Sequence, residues 1–245
     1  MSRVAIAIPD HVLLATRQSP EKFVREAKFL LAFHLFEQGR LSAGIACQLC
    51  GLGRVDFLLV VSRQGIPVAD RDDEEAAKEF APCPAGSVVT NSEPIVALSA
   101  VGRLDLLPAL FESVLVPAAV FREVAGAGLG RPGANELRRA AWARVVDVEP
   151  SPGPPLSEEL GPGEAETIAL AARTGASLAL LDDRRARRAA EDGYGVGVKG
   201  VAGLLLEGKR RRILPSVRPL LDRMLAEGYR LSPRLIDHTC REAGE

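Results

Sequence analysis

The spacing of apolar positions changes character about a third of the way along the chain. In "EKFVREAKFLLAFHLFEQG", Phe23, Ala27, Leu30, Leu31 and Leu35 recur at three- and four-residue steps, the period of one helix face. Ser19-Pro20 supplies a cap and a first-turn proline, and Gly39 a stop. Ser42 then caps a short helix, Gly51 makes a turn, and a second helix runs from about Gly53 to Gln64 and stops at Gly65. Two short helices about a glycine turn have the layout of a helix-turn-helix. Ahead of them, only "RVAIAIP" reads as a short strand.

From about Ser87 the pattern alternates. Strand 87–91 precedes a helix over 94–101 opened by Pro94, and a short helix lies around Leu104–Phe111. Strand "SVLVP" and helix "AAVFREV" follow, then a helix around 134–143 and strand "RVVDVEP". Helix "GEAETIALAARTG", strand "SLALLDD", helix "RRARRAAEDG" and strand "GVGVKG" complete the series, and the tail reads as amphipathic helices, the last opened by Ser232-Pro233. Strands alternating with helices predict an α/β fold, a parallel sheet flanked by helices, behind a small mainly helical domain. The predicted boundaries are 1–80 for the helix-turn-helix domain, 81–86 for a linker and 87–245 for the α/β domain. The acidic, proline-rich stretch "RDDEEAAKEFAPCPAG" marks the junction, with a possible short helix.

Composition narrows the chemistry. The formal net charge is −1 and the sequence pI about 6.4, so nucleic-acid contacts must come from local patches. Cys47 and Cys50 have CxxC spacing, but no second pair or nearby histidine completes a zinc site, and their apolar neighbours favour buried helix positions. His11, His34 and His238 lack metal-pair spacing. "GAGLGRPG" lacks the Lys-Ser/Thr of a phosphate loop, and no serine nucleophile elbow occurs. With no signal peptide and no membrane-length apolar stretch, the expectation is a reduced, cytoplasmic protein.

What remains is acidic. Asp182 and Asp183 end the strand "SLALL", Glu164 and Glu166 open the helix that feeds it, Glu123 lies on the helix after "SVLVP", and Asn91 and Glu93 end the first strand. Oxygen ligands gathered at one edge of a parallel sheet suit Mg²⁺ or Mn²⁺. Each acid alone is equally a helix cap or a dipole partner. Arg184, Arg185, Arg187 and Arg188, and Lys209 to Arg212, form two basic runs that suit a phosphate backbone or a solvated face.

In order, "NSEPIVAL", "LSAVGRLDLLPALFESVLVPAAVFREV", "GEAETIALAARTGASLALLDDRRARRAA" and "VKGVAGLLLEGKRRRILPSVRPLLDRML" resemble the PIN-like nuclease fold, in the branch paired as toxins with antitoxins. The similarity covers about residues 87 to 240. It implies a metal-dependent ribonuclease with Glu123, Glu164 and Asp182 as catalytic acids, and Asn91, Glu123, Glu164, Asp182 and Asp183 as ligands of Mg²⁺ or Mn²⁺. Glu164 rather than Glu166 fits the family spacing to Asp182. Asn91 stands where the family pattern has aspartate and brings no charge. Glu93 falls at a serine position of the motif and is not expected to replace it. The stretch "FLLAFHLFEQGRLSAGIACQLCGLGRVDFLLVVSRQGIPV" resembles a small helix-turn-helix antitoxin family, with Ser42, Cys47, Gly51, Leu52, Phe57, Gly65, Ile66 and Pro67 at pattern positions. The implied function is a fused toxin–antitoxin pair, a ribonuclease restrained by its own N-terminal domain. The alternative is a degenerate PIN-like protein with a binding, assembly or DNA-autoregulatory role. RNA is the expected substrate, held by Arg184, Arg185, Arg188, Lys209 and Arg210. DNA is a further candidate partner through Arg54, and homo-oligomers are expected.

Overall fold

The computed structural model describes residues 5–65, 67–69, 73–128, 130–149, 151–153 and 156–245. Arg3 and Val4 of the expected first strand, Ile66, Arg71, Asp72 and Pro150 lie outside those residues.

The N-terminal block is helical. Residues 5–9 form no strand, since nothing among the described residues pairs with them, and helix α1 (Asp10–Thr16) buries no side chain. Helix α2 (Pro20–Glu37) starts as its sequence dictates, with the Ser19 hydroxyl accepting the Lys22 amide at 3.3 Å. Helix α3 (Ala43–Cys50) is capped by Ser42 onto the Ile45 amide at 3.3 Å. Gly51 supplies the left-handed residue, φ 73°, that turns the chain into α4 (Arg54–Arg63). The α3–α4 pair bends by 99° at this turn. Among the described residues no single helix is long and apolar enough to cross a membrane. Helix α5 (Asp73–Phe80) occupies the acidic stretch and leads to the α/β block.

The sheet has five strands, all parallel, in the order β3-β2-β1-β4-β5: β1 (Ser87–Thr90), β2 (Ser113–Pro117), β3 (Ala143–Val146), β4 (Leu178–Leu180) and β5 (Val198–Lys199). The crossovers are α6 (Ser92–Ala100), α7 (Leu106–Leu110), α8 (Ala118–Ala125), α9 (Ala134–Arg139), α10 (Leu156–Glu159), α11 (Pro162–Thr174) and α12 (Arg184–Arg188), the last continued by a π-helical turn at 189–193. Helices α13 (Val201–Arg210), α14 (Arg218–Ala226) and α15 (Pro233–Glu242) close the chain. Helix α6 starts at Ser92, two residues before Pro94. Asn91 holds the extended cap position, which leaves the proline in the first turn where its missing N–H costs nothing. The helix expected over 134–143 stops at Arg139, because Ala143 already pairs with Val114 in the sheet.

Two apolar layers sandwich the sheet. One, behind α11, gathers Val89, Leu115, Ile168, Ala179 and Leu181. The other is continuous across both blocks: Ala46, Val55, Phe57, Leu58 and Val61 pack in one cluster with Ile95, Leu98, Val124, Met224 and Tyr229. Past α4 the chain lies along the tail. Val68 donates its amide to the Arg230 carbonyl at 2.8 Å, and Ser232 to that of Ala69 at 3.0 Å.

A close backbone approach between the blocks is at Gly44 in the first turn of α3. A methyl group added there would collide with Cα of Gly161 and lie 2.7 Å from its nitrogen. Backbone on both sides leaves nothing flexible to yield. Gly44→Ala is therefore expected to destabilise the docked chain by about 1–3 kcal/mol, the usual cost of overpacking. Urea unfolding reads this directly, and an unchanged midpoint would mean that the two segments slide apart at no cost.

Candidate metal centre

The parallel sheet brings the carboxyl ends of β1 and β4 to one edge, and the acidic side chains converge there. Asn91 and Glu93 follow β1, Asp182 and Asp183 follow β4, Glu164 sits in the first turn of α11, and Glu123 lies on α8. All but Glu123 are at most 5 % exposed. Carboxylate oxygens of Glu93, Glu164 and Asp183 lie within 4.8 Å of one another. Glu93 is a member that the motif does not anticipate. It falls at a serine position of the family pattern, yet its side chain turns inward and accepts the Asn91 amide at 2.6 Å.

The neighbouring acids have other partners. Asp182 accepts the Tyr229 hydroxyl at 3.0 Å and the Val201 amide at 3.3 and 3.4 Å. Asp183 caps α12 with Oδ1, at 2.9 Å from the Arg185 amide and 3.0 Å from that of Ala186. Glu123 packs its carboxylate on Gly163, where an added methyl would fall 2.8 Å from either oxygen. Glu166, two residues on from Glu164, points away and accepts the Ala119 amide at 2.9 Å at the start of α8.

The N-terminal block enters this cluster with positive charge. Arg54, at the start of α4, is 5 % exposed and reaches Glu93 Oε1 and, at 2.7 Å, Glu164 Oε1. The first amides of α3 add their dipole: Ala43 donates to Asp183 Oδ2 at 2.9 Å and Gly44 to Glu164 Oε1 at 3.3 Å. The sequence points to Arg54 as a DNA contact on the second helix of a helix-turn-helix. It is instead buried against carboxylates, because only they offset the desolvation of its guanidinium.

Burial dominates the titration. Glu93 is raised from 4.5 to about 8 by desolvation, opposed by Arg54 and reinforced by Glu164. Asp183 is raised from 3.8 to about 6 by burial and then by Glu164, against Arg54 and the Ala43 and Ala186 amides. Glu123 is raised too, first by burial. One guanidinium thus falls short of neutralising the group. Among the described residues, Asn91 Oδ1 and Arg54 Nε are buried in this site with no hydrogen-bond partner. A hard divalent cation matches this set: carboxylate oxygens at short range and a free amide oxygen.

The basic residues are largely engaged. Arg185 donates to the Gly39 and Arg40 carbonyls at 3.3 and 3.1 Å. Arg184 and Arg188 approach Glu75 at 3.4 and 3.7 Å. Lys209 meets Glu245 at 2.5 Å, and Arg210 the Phe80 carbonyl at 2.6 Å. A cavity of about 350 Å³ lined by Phe36, Leu41, Pro67, Asp182, Asp183 and Arg185 leads from the surface toward the acids. Cys47, Cys50, Cys83 and Cys240 are free thiols, and burial pushes Cys83 up to about 11.

Comparison with known proteins agrees with this two-part construction. A family model described as PIN domain matches residues 87–245, and the model of an uncharacterised protein family, UPF0175, matches residues 1–83. A UPF0175 protein of Aeropyrum pernix is 32 % identical over 84 residues, covering 90 % of that protein and 32 % of this chain. No solved structure matches at a significant level. With a PIN model over most of its length and a UPF0175 relative over the remainder, the chain belongs to the PIN domain family and carries a UPF0175, antitoxin-like region fused to its N-terminus.

Proposed function

We propose that the protein is a metal-dependent ribonuclease held inactive by its own N-terminal block. The observation that carries this reading is Arg54, a cation from one block seated among the acids of the other. Glu93, Glu164, Asp183, Asn91 and Glu123 are the residues that would hold Mg²⁺ or Mn²⁺, with Asp182 alongside. Such an ion supplies Lewis-acid stabilisation of the charge that develops on a phosphodiester during hydrolysis. The chain's own residues do the rest. Tyr229 and the Val201 amide fix the Asp182 carboxylate. Asp183 is locked to α12, and Glu164 to the Gly161 amide at 2.8 Å. An ion held by these residues would compete with Arg54 for Glu93 and Glu164, so inhibition and metal loading would oppose each other.

Asn91 favours a second reading. An amide in place of a carboxylate lowers the charge available to the ion, which fits a PIN scaffold that binds nucleic acid without cutting it. A DNA-binding role of the N-terminal block would require Arg54 to leave its buried seat.

Arg54→Ala separates these readings. The variant is expected to take up Mn²⁺ by calorimetry more tightly than the parent and to cleave RNA in its presence. Glu164→Gln or Glu123→Gln in the same background is expected to abolish cleavage. Cleavage that survives Glu164→Gln would sink the nuclease assignment, and Mn²⁺ uptake with no cleavage would favour the binding scaffold.

The raised carboxylates also fix a pH dependence. Both pKa values lie above their unfolded values, so their stabilising contribution is complete below about pH 4 and is lost as pH rises through about 6 for Asp183 and about 8 for Glu93. In chelator, the melting temperature is expected to fall across that window. Glu93→Gln should flatten the upper part of the fall, and an identical profile in that variant would contradict the assignment.

A further inference from the structure

We propose that Arg184, Arg187 and Arg188 of α12, with Lys199 and the first amides of α13, form a track for the phosphates of single-stranded RNA, and that the acidic helix α5 lies on it in their place. This deepens the ribonuclease reading and rests on it for the identity of the polyanion.

Glu79 is the centre of the contact. The residue is 0 % exposed. Both oxygens accept the Gly200 amide at 2.9 Å, Oε1 also accepts the Gly203 amide at 2.8 Å, and Arg187 reaches Oε2 at 2.9 Å. Gly203 permits this, since a methyl there would collide with the Glu79 carbonyl and lie 2.9 Å from Oε1. Lys199 donates to the Glu79 and Ala81 carbonyls at 2.7 and 2.5 Å. Four residues back, one helical turn away, Glu75 faces Arg184 and Arg188. Two anionic groups one turn apart thus meet a row of cations, a spacing comparable with that of successive phosphates along a strand.

The seat suits an anion whatever its source. Arg187 and Lys199 are 3 % and 2 % exposed. With Glu79 gone, those two cations and the positive end of a ten-residue helix would lose a carboxylate buried among them. A phosphodiester restores the balance and offers oxygens to the same donors. The location fits the reaction, because Val201, between the two glycines, donates to Asp182. A phosphate held at α13 is therefore adjacent to the acid cluster, and α5 and RNA exclude each other.

The test is binding without cleavage, so it stands apart from the nuclease assay. Anisotropy of a labelled single-stranded RNA is followed in chelator with the full chain across a salt series. Glu75→Gln, at the rim of the contact, is expected to bind about tenfold more tightly than the parent, with a salt slope steeper by about 0.7 for each phosphate newly engaged. Adding Arg184→Ala and Arg188→Ala should return the affinity to that of the parent or below. Hydrogen exchange supplies a readout on the unaltered chain: amides of 73–80 should exchange faster once RNA is added. Unchanged affinity in Glu75→Gln, tighter binding that survives loss of the arginines, or exchange in 73–80 indifferent to RNA would each overturn the proposal. A chain that binds in this way but never cuts would instead leave the track standing and remove the nuclease.

Discussion

A single buried guanidinium holds the two blocks in register. Arg54 is enclosed by protein and faces Glu93 and Glu164, themselves enclosed. Removing a cation from water is costly, and only close, well-directed carboxylates return that cost. The reverse holds for the acids. Without a cation, Glu93, Glu164 and Asp183 would be like charges within a few ångströms of one another in a poorly solvated site, and burial already raises Glu93 and Asp183. The Gly44–Gly161 approach, the α3 amides on Asp183 and Glu164, and the shared apolar layer all require α3 and α4 to sit where Arg54 puts them.

That seat is imperfect in an informative way. Arg54 Nε and Asn91 Oδ1 are both buried and both without a partner. Native interiors seldom leave such groups unsatisfied, and a half-satisfied network is worse than an apolar one. A site shaped for a guanidinium would have offered Nε an acceptor. A site shaped for an oxygen-loving cation would turn Asn91 Oδ1 toward the ion, and it has no need of Nε. Both orphans fit the proposed reading, a pocket suited to a divalent cation and occupied by Arg54.

Much of this is legible in the sequence. Caps and periodicity place the helices: Ser19-Pro20, Ser42 and Ser232-Pro233 each begin one, and Gly51 turns α3 into α4. The alternation of strands and helices carries the parallel sheet, and the acids at the ends of β1 and β4 carry the location of the cluster. The apolar run "AIAIP" misleads, because β propensity without a neighbouring strand does not make one. Side-chain direction is the larger gap. The motif gives Glu93 no ligand role, although a residue in the first turn of α6 can point back into the sheet edge. Asp183 rather than Asp182 joins Glu93 and Glu164 in the tightest group, since Tyr229 and the Val201 amide, distant in sequence, hold Asp182 to one side. Arg54 looks like a surface base because its partners lie 39 and 110 residues away, beyond any local signal.

Net charge hides the organising principle altogether. The chain is nearly neutral, yet its N-terminal 80 residues carry two devices of opposite sign. Arg54 complements an anionic pocket, and Glu75 and Glu79 complement a cationic face beyond it. Between the two devices the chain makes backbone bonds to 230–232, so they sit on one continuous clamp. Tethering keeps the local concentration of the clamp high, and even a weak docking would be nearly saturated. Dilution cannot release it. On the proposed reading competition would, and the competitors that match its two surfaces are a divalent cation at one and a polyanion at the other. A ligand that displaced only Arg54 would leave α5 in place, and one that displaced only α5 would leave the acids plugged. On the proposed reading the clamp would yield most readily when both arrive together, the combination that phosphodiester hydrolysis requires.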